Sequence, residues 1–125
     1  MKLFTKVIRN KLIANHEATQ EAEGDDLGHE PVVKLFDPYG ASTWLLSELD
    51  PDTNIAFGLC DLGMGSPELG YVSIDEISEI KTPWGCLQIE RDRSWTANKP
   101  LTDYASVARE RMEIISYLYR PLLFK

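Results

Sequence analysis

The chain has 125 residues, 43% of them hydrophobic and 26% charged, and a formal net charge of −7. That length fits one domain, 1–125, and that composition is ordinary for a soluble globular protein that buries roughly two thirds of its unfolded surface. The longest apolar runs are short, as at Leu45-Leu46 and Ile114-Ile115, against the ~20 residues that a membrane span requires. The first eleven residues spread Lys2, Lys6, Arg9 and Lys11 among apolar positions. A signal peptide would segregate its charges ahead of an unbroken apolar stretch, so the expected location is cytoplasmic, with no membrane partner.

Thr5 is positioned to cap a short first helix from Lys6 to about Asn15, with Ile8 and Leu12 on one face. Residues 16–30 hold six acids, no base, Gly24 and Gly28, and read as an acidic loop. Strand signals follow at Val32–Phe36, Ser42–Leu46, Ile55–Cys60 and Leu69–Val72, each closed by turn residues. Ile55, Phe57 and Leu59 alternate onto one face of the third strand. Short turns between four strands predict an antiparallel meander, because parallel pairs need long crossovers. Ser73-Ile74-Asp75-Glu76 is a capping-box pattern that starts a short helix to Ile80, with Ile74, Ile77 and Ile80 on its buried stripe. Cys86–Glu90 reads as a fifth strand with Leu87 and Ile89 on one face. Thr102 begins a long C-terminal helix, 102–120, whose stripe is Tyr104, Ala108, Met112, Ile115 and Tyr119. The apolar tail Leu122-Leu123-Phe124 is expected to dock on the sheet or on another subunit.

Charge is unevenly placed. Residues 1–15 carry four bases and no acid, residues 31–90 carry ten acids against Lys34 and Lys81, and residues 91–125 carry seven bases against four acids. Basic terminal helices beside an acidic sheet explain this by internal balance, and an acidic face that competes for a basic groove is the sharper reading. No catalytic constellation is apparent. His16 and His29 fall in the acidic loop and read as solvated. Asp50, Asp52, Asp75 and Glu76 are explained by turn and capping chemistry. Cys60 and Cys86 lack the paired histidines of a zinc site and read as reduced, partly buried thiols. The glycines match no phosphate-binding loop. No catalytic, cofactor-binding or metal-binding residue is assigned, and no cofactor is expected.

The segment Pro83–Trp95 remains. Trp84 and Trp95 bracket a short apolar run, and alternation places Arg91 and Arg93 on one face. Arginines beside aromatic platforms can stack on single-stranded nucleic acid. The interleaved Glu90 and Asp92 favour a cross-strand ion-pair ladder with the tryptophans in the core. Trp84, Arg91, Arg93 and Trp95 are the candidate interaction surface.

Several ordered blocks carry a resemblance: Lys2–Lys6, Val33–Gly40, Thr43-Trp44, Phe57–Asp61, Glu68–Ser73, Pro83–Gly85 and Ile89–Asp92. The chain is similar to the bacterial domain of unknown function 2958 family, whose members are often labelled plasmid-related proteins. The resemblance covers residues 1–15 and 31–103, implies a setting on mobile elements, and brings no catalytic residue with it. It also implies that relatives end near the position of Leu101, with the C-terminal helix an extension.

These readings converge on an α+β protein. A four- to five-stranded antiparallel sheet is packed on one face by the long C-terminal helix, with a short N-terminal helix at an edge and a short helix between strands four and five. The leading functional expectation is a non-enzymatic protein-interaction module of a mobile element, binding an unidentified protein. A nucleic-acid-binding accessory protein is second, and a small hydrolase or metal-dependent enzyme is third.

Overall fold

A computed structural model describes residues 3–118. Helix α1 spans Lys6–Glu21, and the Thr5 hydroxyl accepts the Ile8 N–H at 3.1 Å, as an N-cap should. The helix runs six residues beyond Asn15, through the first six of the fifteen residues expected as an acidic loop. Its inner stripe does not stop at Leu12 but continues with polar residues, Asn15 and Thr19, which find partners on the sheet. Glu23 and Gly24, both at positive φ, then turn the chain away.

Strands β1 (Val33–Phe36), β2 (Thr43–Asp50), β3 (Ile55–Asp61) and β4 (Glu68–Ser73) form the expected antiparallel meander. The fifth strand, β5, is only Glu90–Arg91 and pairs with the outer edge of β1, giving the order β4-β3-β2-β1-β5. Of the expected Cys86–Glu90 strand only Glu90 is in β5: Cys86 lies in a turn closed by the Lys81–Leu87 bridge, and residues 88–89 are irregular. Helix α2 (Ile74–Ser78) lies between β4 and β5. The Ser73 hydroxyl accepts the Glu76 N–H, and Ile74 and Ile77 are buried. Ile80 falls past the helix and is exposed.

The sheet is covered on both faces, not one. Trp44, Leu46, Leu35, Val33 and Ala56 point to one side and pack with Leu12, Leu3, Phe4, Ile74, Ile77 and Ile89. Helix α1 therefore lies across β2 rather than at an edge. Leu45 and Leu59 point to the other side and pack with Trp95, Leu101, Tyr104, Ala105 and Ala108. A register shift between Leu46 and Glu48 leaves Ser47 as an extra residue in β2. This bulge reverses the alternation, so Leu46 and Leu49, three apart, face the same cluster. The buried Asn15 amide donates to the Ser47 carbonyl at 2.9 Å, supplying the partner that the bulge removes from the ladder.

Helix α3 spans Leu101–Arg111, not 102–120. Pro100 precedes it, and Thr102 lies inside it. Tyr104 and Ala108 are buried as expected, but Met112 adopts a left-handed φ of 62° and is exposed. The next residues include the β-branched pair Ile114-Ile115, poor helix formers. They leave the helix because the sheet offers other bonds. Buried Asp61 accepts the Ile114 N–H, Lys34 reaches the Ser116 hydroxyl at 2.9 Å, the Trp95 indole N–H donates to the Ser116 carbonyl, and Asn98 donates to the Leu118 carbonyl. Tyr119 and the tail Leu122–Phe124 lie outside the described residues.

Gly58 sits where β3 crosses the bulged part of β2. A Cβ there would meet the Leu45 carbonyl oxygen at 2.1 Å and the Leu46 Cα at 2.8 Å, both backbone atoms of the central strand. Gly58→Ala is therefore expected to destabilise by about 3 kcal/mol or prevent folding, measured by urea unfolding. Gly70→Ala, with open space around it, is the matched control and should change stability by less than ~1 kcal/mol.

Candidate interaction surface and polar groove

The four residues singled out in the Pro83–Trp95 segment do not come together. Trp84 stands at the tip of a turn tied by the Thr82 N–H to the Cys86 carbonyl (2.8 Å) and the Cys86 N–H to the Thr82 hydroxyl (3.0 Å). Gly85, at φ +86°, makes that turn possible. Arg91 lies half-buried in β5, opposite Leu35, and its Nη1 donates to the Leu3 carbonyl at 2.6 Å. Arg93 is exposed. Trp95 is buried at 6% exposure on the α3 side, with its ring 5.9 Å from Tyr104 and edge-on to it. It is a core residue and no part of a surface. The chain changes sides between Ile89 and Trp95: Asp92 donates its N–H to the Lys34 carbonyl, and a turn capped by Asp92 then carries the chain to the opposite face.

Trp84 instead has a partner that the sequence reading missed. Tyr39, on the turn after β1, lies with its ring centroid 6.1 Å from that of Trp84 and nearly perpendicular to it. Both side chains are 65% exposed. Gln88 clamps the two turns together by donating to both carboxylate oxygens of Asp37, at 3.1 and 3.0 Å. Asp37 also accepts the Tyr39 N–H, which fixes the second turn. Nothing in the spacing of Tyr39 and Trp84 along the chain signals this; it follows from β5 closing onto β1.

A second constellation joins the end of α1 to the bulge. The Thr19 hydroxyl donates to Glu48 Oε2 at 3.1 Å, and His29 Nε2 lies 3.1 Å from the same hydroxyl. A threonine has one hydroxyl proton. With that proton directed at Glu48, the Thr19 oxygen is left to accept a hydrogen bond, which His29 supplies in the tautomer that carries hydrogen on Nε2. His29 is thus half-buried and bonded, and His16 is a helical residue; neither is a solvated loop histidine. The signal was the stripe Ile8, Leu12, Asn15 and Thr19, which keeps helical spacing after its residues become polar.

The chemistry of these groups is positional. The Thr19 hydroxyl donates a hydrogen bond to the Glu48 carboxylate and lies against His29, which ties the end of α1 and the 29 region to the bulge. Among the described residues, no group of three or more His, Cys, Asp or Glu is arranged to hold a metal ion. Both cysteines are free thiols. No helix is long and apolar enough to cross a membrane among the described residues.

A family described as "Protein of unknown function (DUF2958)" matches residues 3–115, so the chain belongs to that family. The match runs through α3, which is therefore a family element and not an extension beyond Leu101. It also includes the whole of the 16–30 segment. No curated protein and no solved structure matches the chain.

The two thiols differ in a way that reports on the sheet. Burial on the α1 side pushes the Cys60 thiol up to about 11, while Cys86 is exposed on the Trp84 turn. At pH 8 a thiol of that pKa is ionised to about one part in a thousand. An aromatic disulfide reagent is expected to modify Cys86 within minutes and Cys60 only on unfolding. A raised thiol pKa stabilises the fold below the ordinary value, and this contribution is lost as pH rises from about 9 towards about 11. Equal rates at the two sites in native protein would contradict the placement of Cys60.

Proposed function

We propose that the protein is a non-enzymatic interaction module of a bacterial mobile genetic element, binding a host or element protein in defence evasion or DNA maintenance. The Tyr39–Trp84 pair carries this reading. Tryptophan and tyrosine bury 150–250 Å² each, roughly, when covered, and they dominate the energetics of interface centres. Here they stand in water on two turns that Asp37 and Gln88 hold together. A pre-formed aromatic pair loses little conformational freedom on binding. The acidic composition of residues 31–90 favours a partner with a basic contact surface. The mobile-element setting rests on the family resemblance.

The test is affinity capture from a bacterial lysate with wild-type protein and with Tyr39→Ala/Trp84→Ala in parallel. The double variant should keep the wild-type stability to within ~0.5 kcal/mol, because both side chains are exposed. A partner held by the wild type and weakened by at least about tenfold in the variant supports the reading. Capture of the same proteins by both forms, or of none by either, contradicts it. Salt-sensitive binding of single-stranded DNA that disappears in the variant would move the same surface to nucleic acid.

A further inference from the structure

The face of the sheet that α3 covers is only partly covered. Eleven residues of helix extend about 16 Å, which is enough for Leu45 and Leu59. Beyond them, Glu48, Phe57 and Tyr71 lie side by side across β2, β3 and β4. Asp50 and Ile55 form the next row. Together with His16, Thr19 and Gln20 of α1, these residues enclose a cavity of about 310 Å³. Its floor is aromatic: the Phe57 and Tyr71 rings are 5.1 Å apart and tilted by 56°, and Tyr71 is 77% exposed. Its wall carries two carboxylates. The bulge at Ser47 turns Glu48 towards this side, and the His29–Thr19 chain holds its carboxylate in place. Among the described residues, no Lys, Arg or His forms an ion pair with Glu48 or Asp50.

We propose that this cavity binds the guanidinium group of an arginine side chain presented by a partner protein. A guanidinium is flat, carries its charge over a face that stacks on aromatic rings, and forks onto carboxylates. The cavity offers both recognition elements side by side, rings below and carboxylates beside, and charge complementarity selects the cation. The site lies on the β4–β3–β2 rows, whereas Tyr39 and Trp84 belong to the turns joined by the β1–β5 closure, so each can fail while the other stands.

The probe is a capped arginine, Nα-acetyl-arginine methylamide, titrated into labelled protein and followed by amide NMR shifts. Saturable shifts centred on Glu48, Phe57 and Tyr71 are expected, with a dissociation constant in the millimolar range for a single residue. The capped citrulline analogue, equal in shape and uncharged, should bind at least tenfold more weakly. Glu48→Gln/Asp50→Asn should weaken arginine binding by a similar factor, and Tyr39→Ala/Trp84→Ala should leave it unchanged. Absence of saturable shifts, equal response to citrulline, or wild-type affinity in Glu48→Gln/Asp50→Asn would overturn the proposal. Tighter binding of free L-arginine than of the capped form would overturn the protein-borne source. The citrulline comparison uses wild-type protein, so it decides the matter even if the double variant fails to fold.

Discussion

The hydrogen bond from the Asn15 amide to the Ser47 carbonyl is the contact on which the rest of the structure depends. A bulge in a central strand leaves one residue out of the ladder, and a buried carbonyl without a donor costs about 1–3 kcal/mol. Helix α1 supplies that donor from its inner face. This fixes the helix against β2 and carries its last turn to the place where β1 has not yet begun. β1 pairs with β2 only up to Val33–Leu46, so the end of α1 takes over as the neighbour of residues 47–50.

Two consequences follow from that geometry. The bulge keeps both Leu46 and Leu49 in the core beneath α1, so the strand is anchored on either side of its irregularity. It also turns Glu48 to the opposite face, beside Phe57, where Thr19 and His29 hold it. The opposite face has its own core around Trp95 and Tyr104, closed by α3 and by the 112–118 segment. Between α3 and the end of α1 the sheet stays uncovered, and the polar groove is what remains there. The Tyr39–Trp84 surface arises separately, from the short β5 closing onto β1.

Much of the fold was legible. The meander came from four apolar runs and the turn residues between them, and the capping of α1 and α2 from Thr5 and Ser73. What was not legible shares one physical cause. Periodicity reports burial against apolar neighbours, and it falls silent where a helix face is buried against polar ones. Asn15 and Thr19 looked like the end of a helix and the start of a loop, although they continue its stripe. The opposite error occurred after Arg111. The stripe through Met112 and Ile115 kept helical spacing, but Asp61, Lys34, Trp95 and Asn98 bind the backbone and side chains of residues 114–118 in another conformation. Those partners are 20 to 82 positions away along the chain, beyond any local window. Trp84 and Trp95 looked alike in sequence because nothing local records that the chain changes face at Asp92.

Hydrogen exchange on Asn15→Leu tests the central contact most directly. Leucine keeps the bulk of the position and is a better helix former than asparagine, so a loss of protection there reports the missing amide hydrogen bond and not a weaker helix. Exchange should accelerate together at Ser47–Asp50 and at residues 16–21, with a loss of about 1–3 kcal/mol in global stability. Unchanged protection in both segments, at wild-type stability, would show that the bulge and the helix end are held by something other than Asn15.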